Sequence, residues 1–362
     1  MEYPPAMSNK KSFLQASALL LPLILAMPPA LMAQQAASAP AARQGGTYKK
    51  PFVAASIPVD ATEHVNELNT DTSTPDIGPG SKGPAVLRAQ VLLDRAWFSS
   101  GEIDGVYGRN LRFAIAAFQT ARNLPQTGIV DAATWQALAQ VAQKPAFGTY
   151  LLTEQDVAGP YVKLPEDPLE QGKMERLGYQ DAMEALAERF HVKPGLLGEL
   201  NRGRTLKAGQ MIVVPDVNVP GELGAKATAV RIDKSDKMLY VMGEGDRLLG
   251  AFPISMGGMT NDLPANTVMS IVNEVKNPNF MYDPALLKNP KTDTKVRLPP
   301  GPNNPVGVAW LGLSREHWGI HGTSEPSQMA RVETNGCIRL TNWDVMRLAT
   351  VAGKGIPVHV QS

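Results

Sequence analysis

From Thr228 onward, apolar residues recur at every second position, the period of a β-strand with one buried face. Val230 and Ile232 make one such run, and Met238, Tyr240 and Met242 make a second. Residues 248–254 make a third after the turn at Gly245-Asp246. Short strands separated by Gly/Pro loops predict a β-rich sandwich or barrel. Residues 342–352 interrupt the alternation as a helix capped by Thr341 or Asn342, and residues 356–360 read as a closing strand.

The preceding chain follows other periods. Val86, Leu87, Gln90, Val91 and Leu93 are spaced for a helix, followed by a turn from Gly101 through Asp104-Gly105 to Gly108. A second helix carries Phe113, Ala114, Ala117 and Phe118 on one face, and a turn at Gly128 leads to a third with Thr134, Trp135 and Leu138. This predicts a small three-helix domain over residues 81–142. Residues 175–216 predict a small α+β unit: helices over 179–190 and 196–200, then a turn and a strand ending at Pro215. Residues 40–80, rich in Ala, Gln, Ser, Thr and Pro without a hydrophobic period, read as a flexible linker. At 362 residues, such a multidomain arrangement is what length alone suggests.

Residues 1–39 read as a signal peptide. Lys10 and Lys11 precede an apolar Leu/Ala-rich run, and small residues near Ala33 to Ala39 offer a cleavage site. Pro22, Pro28 and Pro29 break that run short of the roughly 20 residues a membrane span needs, which favours cleavage over an N-terminal inner-membrane anchor. The expected location is therefore the periplasm or cell wall. Basic residues number 35 and acidic residues 34, so no charge surplus points to nucleic acid or an anionic membrane.

Cys337 is the only cysteine, which excludes an intramolecular disulfide and a Cys-cluster metal site. A lone thiol is either a small buried hydrophobe or a nucleophile. Its surroundings favour the nucleophile. A thiol attacks a carbonyl as the thiolate, and a nearby imidazole can accept its proton. His321 lies 16 residues before Cys337 and meets it if neighbouring strands carry the two. Gly336 lets backbone approach a ligand closely, so amides near Cys337 can form an oxyanion hole. Arg339 alternates in step with Cys337 and is placed to orient a substrate carboxylate or to support the loop. His317, four residues before His321, suggests a metal pair, but no third ligand has suitable spacing and no cofactor is expected. His191 and His359 read as structural or surface residues.

Three resemblances follow from these residues. The turn Asp104-Gly105 with Gly108, then Phe118-Gln119, then Thr134-Trp135 with Leu138, resembles the peptidoglycan-binding domain type 1. The helices and terminal strand of 175–216 resemble a LysM module, which implies binding of N-acetylglucosamine polymers. His321-Gly322-Thr323 with Gly336-Cys337-Ile338-Arg339-Leu340 resembles the L,D-transpeptidase catalytic domain of YkuD type, over residues 226–362. Asn277-Pro278, Pro284, Leu298-Pro299-Pro300-Gly301 and Gly307 add to that likeness. It implies a β-rich sandwich, with Cys337 as nucleophile, His321 as proton donor and acceptor, and Gly322 and Gly336 in the catalytic segment. Thr334, Asn335 and Arg339 fall at the substrate. The group orienting His321 is expected from backbone or a small residue near Gly322. The family's Ser-His before Gly-Cys is Thr334-Asn335 here, and Asn335 cannot titrate. The family's P-T-P-x-G stretch is altered to Pro264-Ala265-Asn266-Thr267.

The resemblance implies attack by Cys337 on the third residue of a peptidoglycan stem peptide, with loss of D-Ala. Transfer to an amine then gives a 3→3 crosslink or attaches a wall protein. Water as acceptor would make the protein an L,D-carboxypeptidase, and Asn335 raises the further alternative of a catalytically decayed wall-binding protein. Stem peptides and glycan are the expected partners of a monomer.

Overall fold

The computed structural model describes residues 60–217, 223–257, 263–287, 290–332 and 336–362. The expected signal peptide and the linker up to residue 59 lie outside the described residues. The rest of the expected linker differs from that reading. Asp60 accepts a hydrogen bond from the Thr62 amide at 2.8 Å and starts helix α1 (Ala61–Thr70). Ala61 and Val65 are buried against Leu200 and Val213. Only three apolar residues of α1, Ala61, Val65 and Leu68, share its inner face, so its pattern is too sparse to stand out.

The three-helix part comprises α2 (Pro84–Arg95), α3 (Arg109–Ala121) and α4 (Ala132–Val141). Phe98 packs edge-on against Phe118 at 5.4 Å. The Gln119 amide binds Thr127 Oγ1, the Ile129 carbonyl and Thr134 Oγ1 at 2.8–3.0 Å, and accepts the Gly128 amide at 2.9 Å. Gly128 sits at φ +69°, which an L side chain rarely adopts. The Phe-Gln and Thr-Trp motifs thus hold this part together through one buried amide.

In the second small unit, strand β1 (Phe147–Leu151) pairs antiparallel with β2 (Met211–Pro215). Between them run α5 (Glu154–Ala158), α6 (Pro168–Gln171), α7 (Ala182–Arg189) and α8 (Pro194–Leu200). The sequence leaves β1 unseen. Helix α7 begins at Ala182 rather than at residue 179 because Asp181 caps it, accepting the Glu184 amide at 2.8 Å.

The C-terminal part holds β3 (Ala229–Asp233), β4 (Met238–Met242), β5 (Leu248–Pro253), β6 (Val268–Lys276), β7 (Phe280–Tyr282) and β8 (Val296–Leu298). It continues with β9 (Ala309–Leu313), β10 (Gly319–His321), β11 (Ile338–Arg339), α9 (Asn342–Val351) and β12 (Pro357–Gln361). Eight strands form one sheet in the order β11-β10-β9-β6-β12-β3-β4-β5, and β7 and β8 pair separately. Just past β5, Ser255 exchanges backbone hydrogen bonds of 3.0 and 2.8 Å with Arg339 of β11. The two ends of the sheet therefore meet, and the layers expected of a sandwich arise from a single sheet curling on itself. Its inner face buries Val230, Ile232, Leu239, Val241, Phe252, Leu311, Ile320 and Ile338 against Val345 and Leu348 of α9. The alternation of Val230 and Ile232 is the imprint of this core, whereas Met238 and Tyr240 of the second run lie on the other face and pack against the three-helix part.

All three parts meet at a buried junction. Asp94 of α2 lies 3.1 Å from His191 Nδ1 and 2.7 Å from Arg347 of α9. Trp343 stacks on the His191 ring at 4.9 Å, and Ser99 donates to Asp344 at 2.9 Å. Burial acts to raise Asp94, but the Arg347 and His191 charges hold it well below the usual carboxylate range. Burial pushes Asp344 up to about 7. His191 is thus structural, and His359 is exposed on β12. Among the described residues, no helix is long and apolar enough to cross a membrane.

Candidate active site

Strands β10 and β11 are parallel neighbours, with Ile320 opposite Ile338 and His321 opposite Arg339. Continuing that register sets Cys337 beside Gly319. Side chains alternate across a strand, so Ile320 and Ile338 enter the core while Cys337, His321 and Arg339 share the other face. The sheet thereby brings together the two residues that the sequence separates by 16 positions.

Cys337 and His321 are both fully buried. His321 Nδ1 lies 2.6 Å from the Gly322 carbonyl, which can only accept, so Nδ1 carries the hydrogen. That leaves Nε2 as a bare acceptor, with no hydrogen-bond partner among the described residues. Burial, followed by the Arg339 charge, pushes His321 down to about 3, so the ring is neutral. It stacks on Trp310, its register partner on β9, at 5.6 Å and 14°. Gly319 makes room for this stack, because a Cβ there would come within 2.3 Å of the indole.

Cys337 Sγ reaches the His317 carbonyl at 3.6 Å, so His317 contributes its backbone to the site. Burial pushes the Cys337 thiol up to about 12, against a backbone hydrogen bond from Gly319 and the nearby Arg339 charge. The resting pair is thus a thiol and a neutral imidazole. Arg339 is itself buried and interacts electrostatically with Glu325 and Cys337. Gly336, at φ +143°, occupies backbone space that glycine alone enters readily. Thr334 and Asn335 lie outside the described residues.

The face around Cys337 is walled by Trp310, Phe280, Tyr282, Leu298, Val306 and Leu177. Leu177 comes from the second small unit, docked through its amide on the Pro300 carbonyl at 2.9 Å. A cleft of about 740 Å³ lies between α7, α8 and residues 324–328, with Glu184, Glu188, Lys193 and Trp343 in its walls, and neither Cys337 nor His321 lines it. Among the described residues, no three His, Cys, Asp or Glu side chains gather as a metal site requires.

Residues 227–360 match the family described as L,D-transpeptidase catalytic domain, YkuD, and residues 82–138 match the family described as “Putative peptidoglycan binding domain”. The “Putative L,D-transpeptidase YkuD” of Bacillus licheniformis is 30% identical over 183 residues, which cover 50% of this chain and 93% of that protein. The chain belongs to the L,D-transpeptidase family. The “Probable L,D-transpeptidase YbiS” of Escherichia coli is 25% identical over 209 residues, covering 56% of this chain and 62% of that protein. A crystal structure of an L,D-transpeptidase from Xylanimonas cellulosilytica is 16% identical, covering 80% of this chain and 97% of that one at a TM-score of 0.34.

Two residues of this transpeptidase site escape sequence reasoning. Trp310 carries no motif or period that marks it in the sequence. Asn342 reads as a possible helix cap, but Thr341 takes that role by accepting the Asp344 amide. The Asn342 side chain is thereby left to bind elsewhere. The one available clue is the pair of glycines, Gly307 and Gly322, between which it lies.

Proposed function

We propose that the protein is a peptidoglycan L,D-transpeptidase working through a Cys337 thioester. The observation that carries the reading is the His321 ring, whose Nδ1 hydrogen is fixed on the Gly322 carbonyl while Nε2 is left open on the face that holds Cys337. His321 Nε2 takes the thiol proton as sulfur bonds to the carbonyl of the third stem residue. The bond to D-Ala breaks, and the leaving amine takes that proton back. An acceptor amine then attacks the thioester, gives its proton to His321, and sulfur leaves as the thiol. A neutral imidazole suits a base that must first accept a proton. Gly336 and the backbone beside Cys337 are assigned to the oxyanion, and Arg339, Thr334 and Asn335 to substrate contact.

The match of residues 82–138 to a peptidoglycan-binding family supports a tethering role on the wall, and with it export to the periplasm or cell wall. A tetrapeptide stem incubated with the full chain should release D-Ala, and an added amine acceptor should convert hydrolysis into transfer. Equal D-Ala release and equal 3→3 dimer content from the native chain and Cys337→Ala would sink the reading.

A further inference from the structure

We propose that Glu188, on α7 outside the catalytic domain, is a positioning residue for His321 that acts through the Asn342 carboxamide. The proposal rests on the reading of His321 as the base.

The chain of contacts is continuous. Both Glu188 oxygens accept from Asn342 Nδ2 at 3.1 Å, and Glu188 Oε1 also accepts the Tyr179 hydroxyl at 2.9 Å. Asn342 Nδ2 donates as well to the Pro302 carbonyl at 3.2 Å. On its other side, Asn342 Oδ1 accepts the Thr323 amide at 3.1 Å and the Val308 amide at 3.2 Å. The carboxamide is wedged between two glycines. A Cβ on Gly307 or Gly322 would come within 2.1 or 2.2 Å of Oδ1.

The decisive step lies in one peptide bond. The Gly322 carbonyl and the Thr323 amide belong to the same planar unit. Asn342 holds its N–H end, and its C=O end takes the His321 Nδ1 hydrogen at 2.6 Å. Fixing one end of the plane aims the other, and thereby selects the His321 tautomer with Nε2 bare.

A carboxamide fits its cavity in either orientation unless its partners tell nitrogen from oxygen. Glu188 and the Pro302 carbonyl supply acceptors on one side, and two amides supply donors on the other. Removing Glu188 takes away both carboxylate acceptors of Nδ2, leaving the Pro302 carbonyl on that side and the two N–H groups facing Oδ1 to oppose a flip. Glu188 is held by Tyr179 of its own unit, so docking of that unit is tied to the geometry of the histidine turn.

The test uses the full chain with Glu188→Ala, Glu188→Gln and Asn342→Leu. Glutamine keeps an acceptor for Asn342, so Glu188→Gln should stay near native activity. Glu188→Ala should lower kcat by about tenfold with KM little changed, a loss in keeping with misplacement of a catalytic group. Glu188→Ala combined with Asn342→Leu should be no worse than Asn342→Leu alone. Nitrogen NMR of labelled histidine should show His321 as a single Nδ1–H tautomer in the native chain and as a mixture in Glu188→Ala. That readout stands even if the chain releases no D-Ala, so failure here and failure of the functional reading are distinguishable. A native tautomer in folded Glu188→Ala, or equal losses in the Ala and Gln variants, would overturn the proposal.

Discussion

The protonation state of the resting dyad is open to direct test through the pH dependence of Cys337 alkylation. Burial sets the thiol at about 12 and the His321 imidazole at about 3, so neither ion supports the other. At pH 7 the thiolate fraction is then on the order of 10⁻⁵, against about 3% for an unperturbed thiol of pKa near 8.5. Iodoacetamide reacts with the thiolate, and the chain has only one cysteine, so intact mass reads the site without ambiguity. Burial slows the reaction at every pH, and the informative quantity is the slope. A buried neutral thiol should react about tenfold faster per pH unit from pH 7 to 10, with no break. An ordinary exposed thiol would level off near pH 8.5, and a preformed thiolate–imidazolium pair would react at a constant rate from about pH 5 to 8. Either of those profiles refutes the neutral dyad and the assignment of its cause to burial. Arg339→Gln should slow the reaction further, since the Arg339 charge favours the thiolate.

The fold was legible wherever one face of an element is buried against a single neighbour. β3 declared itself by alternation because Val230 and Ile232 enter one core, whereas β4 buries both faces, Leu239 and Val241 in that core and Met238 and Tyr240 against the three-helix part. The closure of the sheet was not legible. It rests on a two-residue strand, β11, and on backbone hydrogen bonds from Ser255, neither of which leaves a side-chain period. Helix α1 was hidden because three apolar residues suffice for its small contact. At the site, His321, Cys337 and Arg339 were legible because their chemistry is distinctive and their sequence pattern familiar. Trp310 and Asn342 were not, because each acts only through a partner that the curled sheet brings near. The Gly322 carbonyl was anticipated as a type of partner, and its identity depends on the turn that Asn342 holds.

Gly319→Val places a side chain where a Cβ already meets the Trp310 ring at 2.3 Å. It should cost about 1–3 kcal/mol by overpacking and lower kcat as the indole leaves His321, and an unchanged Tm with native kcat would contradict the stack as a positioning contact. For Cys337 the raised pKa makes folding favour the thiol. That stability is present below the ordinary thiol value and is lost as pH rises toward the folded value. Denaturant unfolding should therefore show the native chain losing about 1.4 kcal/mol per pH unit relative to Cys337→Ala between pH 9 and 10.5, and parallel curves would refute it. The junction residue Asp344 gives the same sign at lower pH. Burial dominates there, against Arg347 and the hydrogen bonds from Thr341 and Ser99, so the folded carboxyl titrates near 7 instead of 3.8. The unfolded chain ionises first, and stability falls as pH rises from about 4 through 7, by on the order of 3 kcal/mol after allowance for relaxation around a buried group. Asp94 titrates below its ordinary value, so its own contribution is lost only as pH falls below about 4, outside that window. Asp344→Asn removes that titration and should decline less steeply than the native chain from pH 5 to 7.5, its remaining decline coming from Glu102 and Glu188, which burial also pushes up to about 7. If both lose stability in parallel across that range, burial of Asp344 is not what sets its proton affinity, and the junction tolerates charge better than its contacts imply.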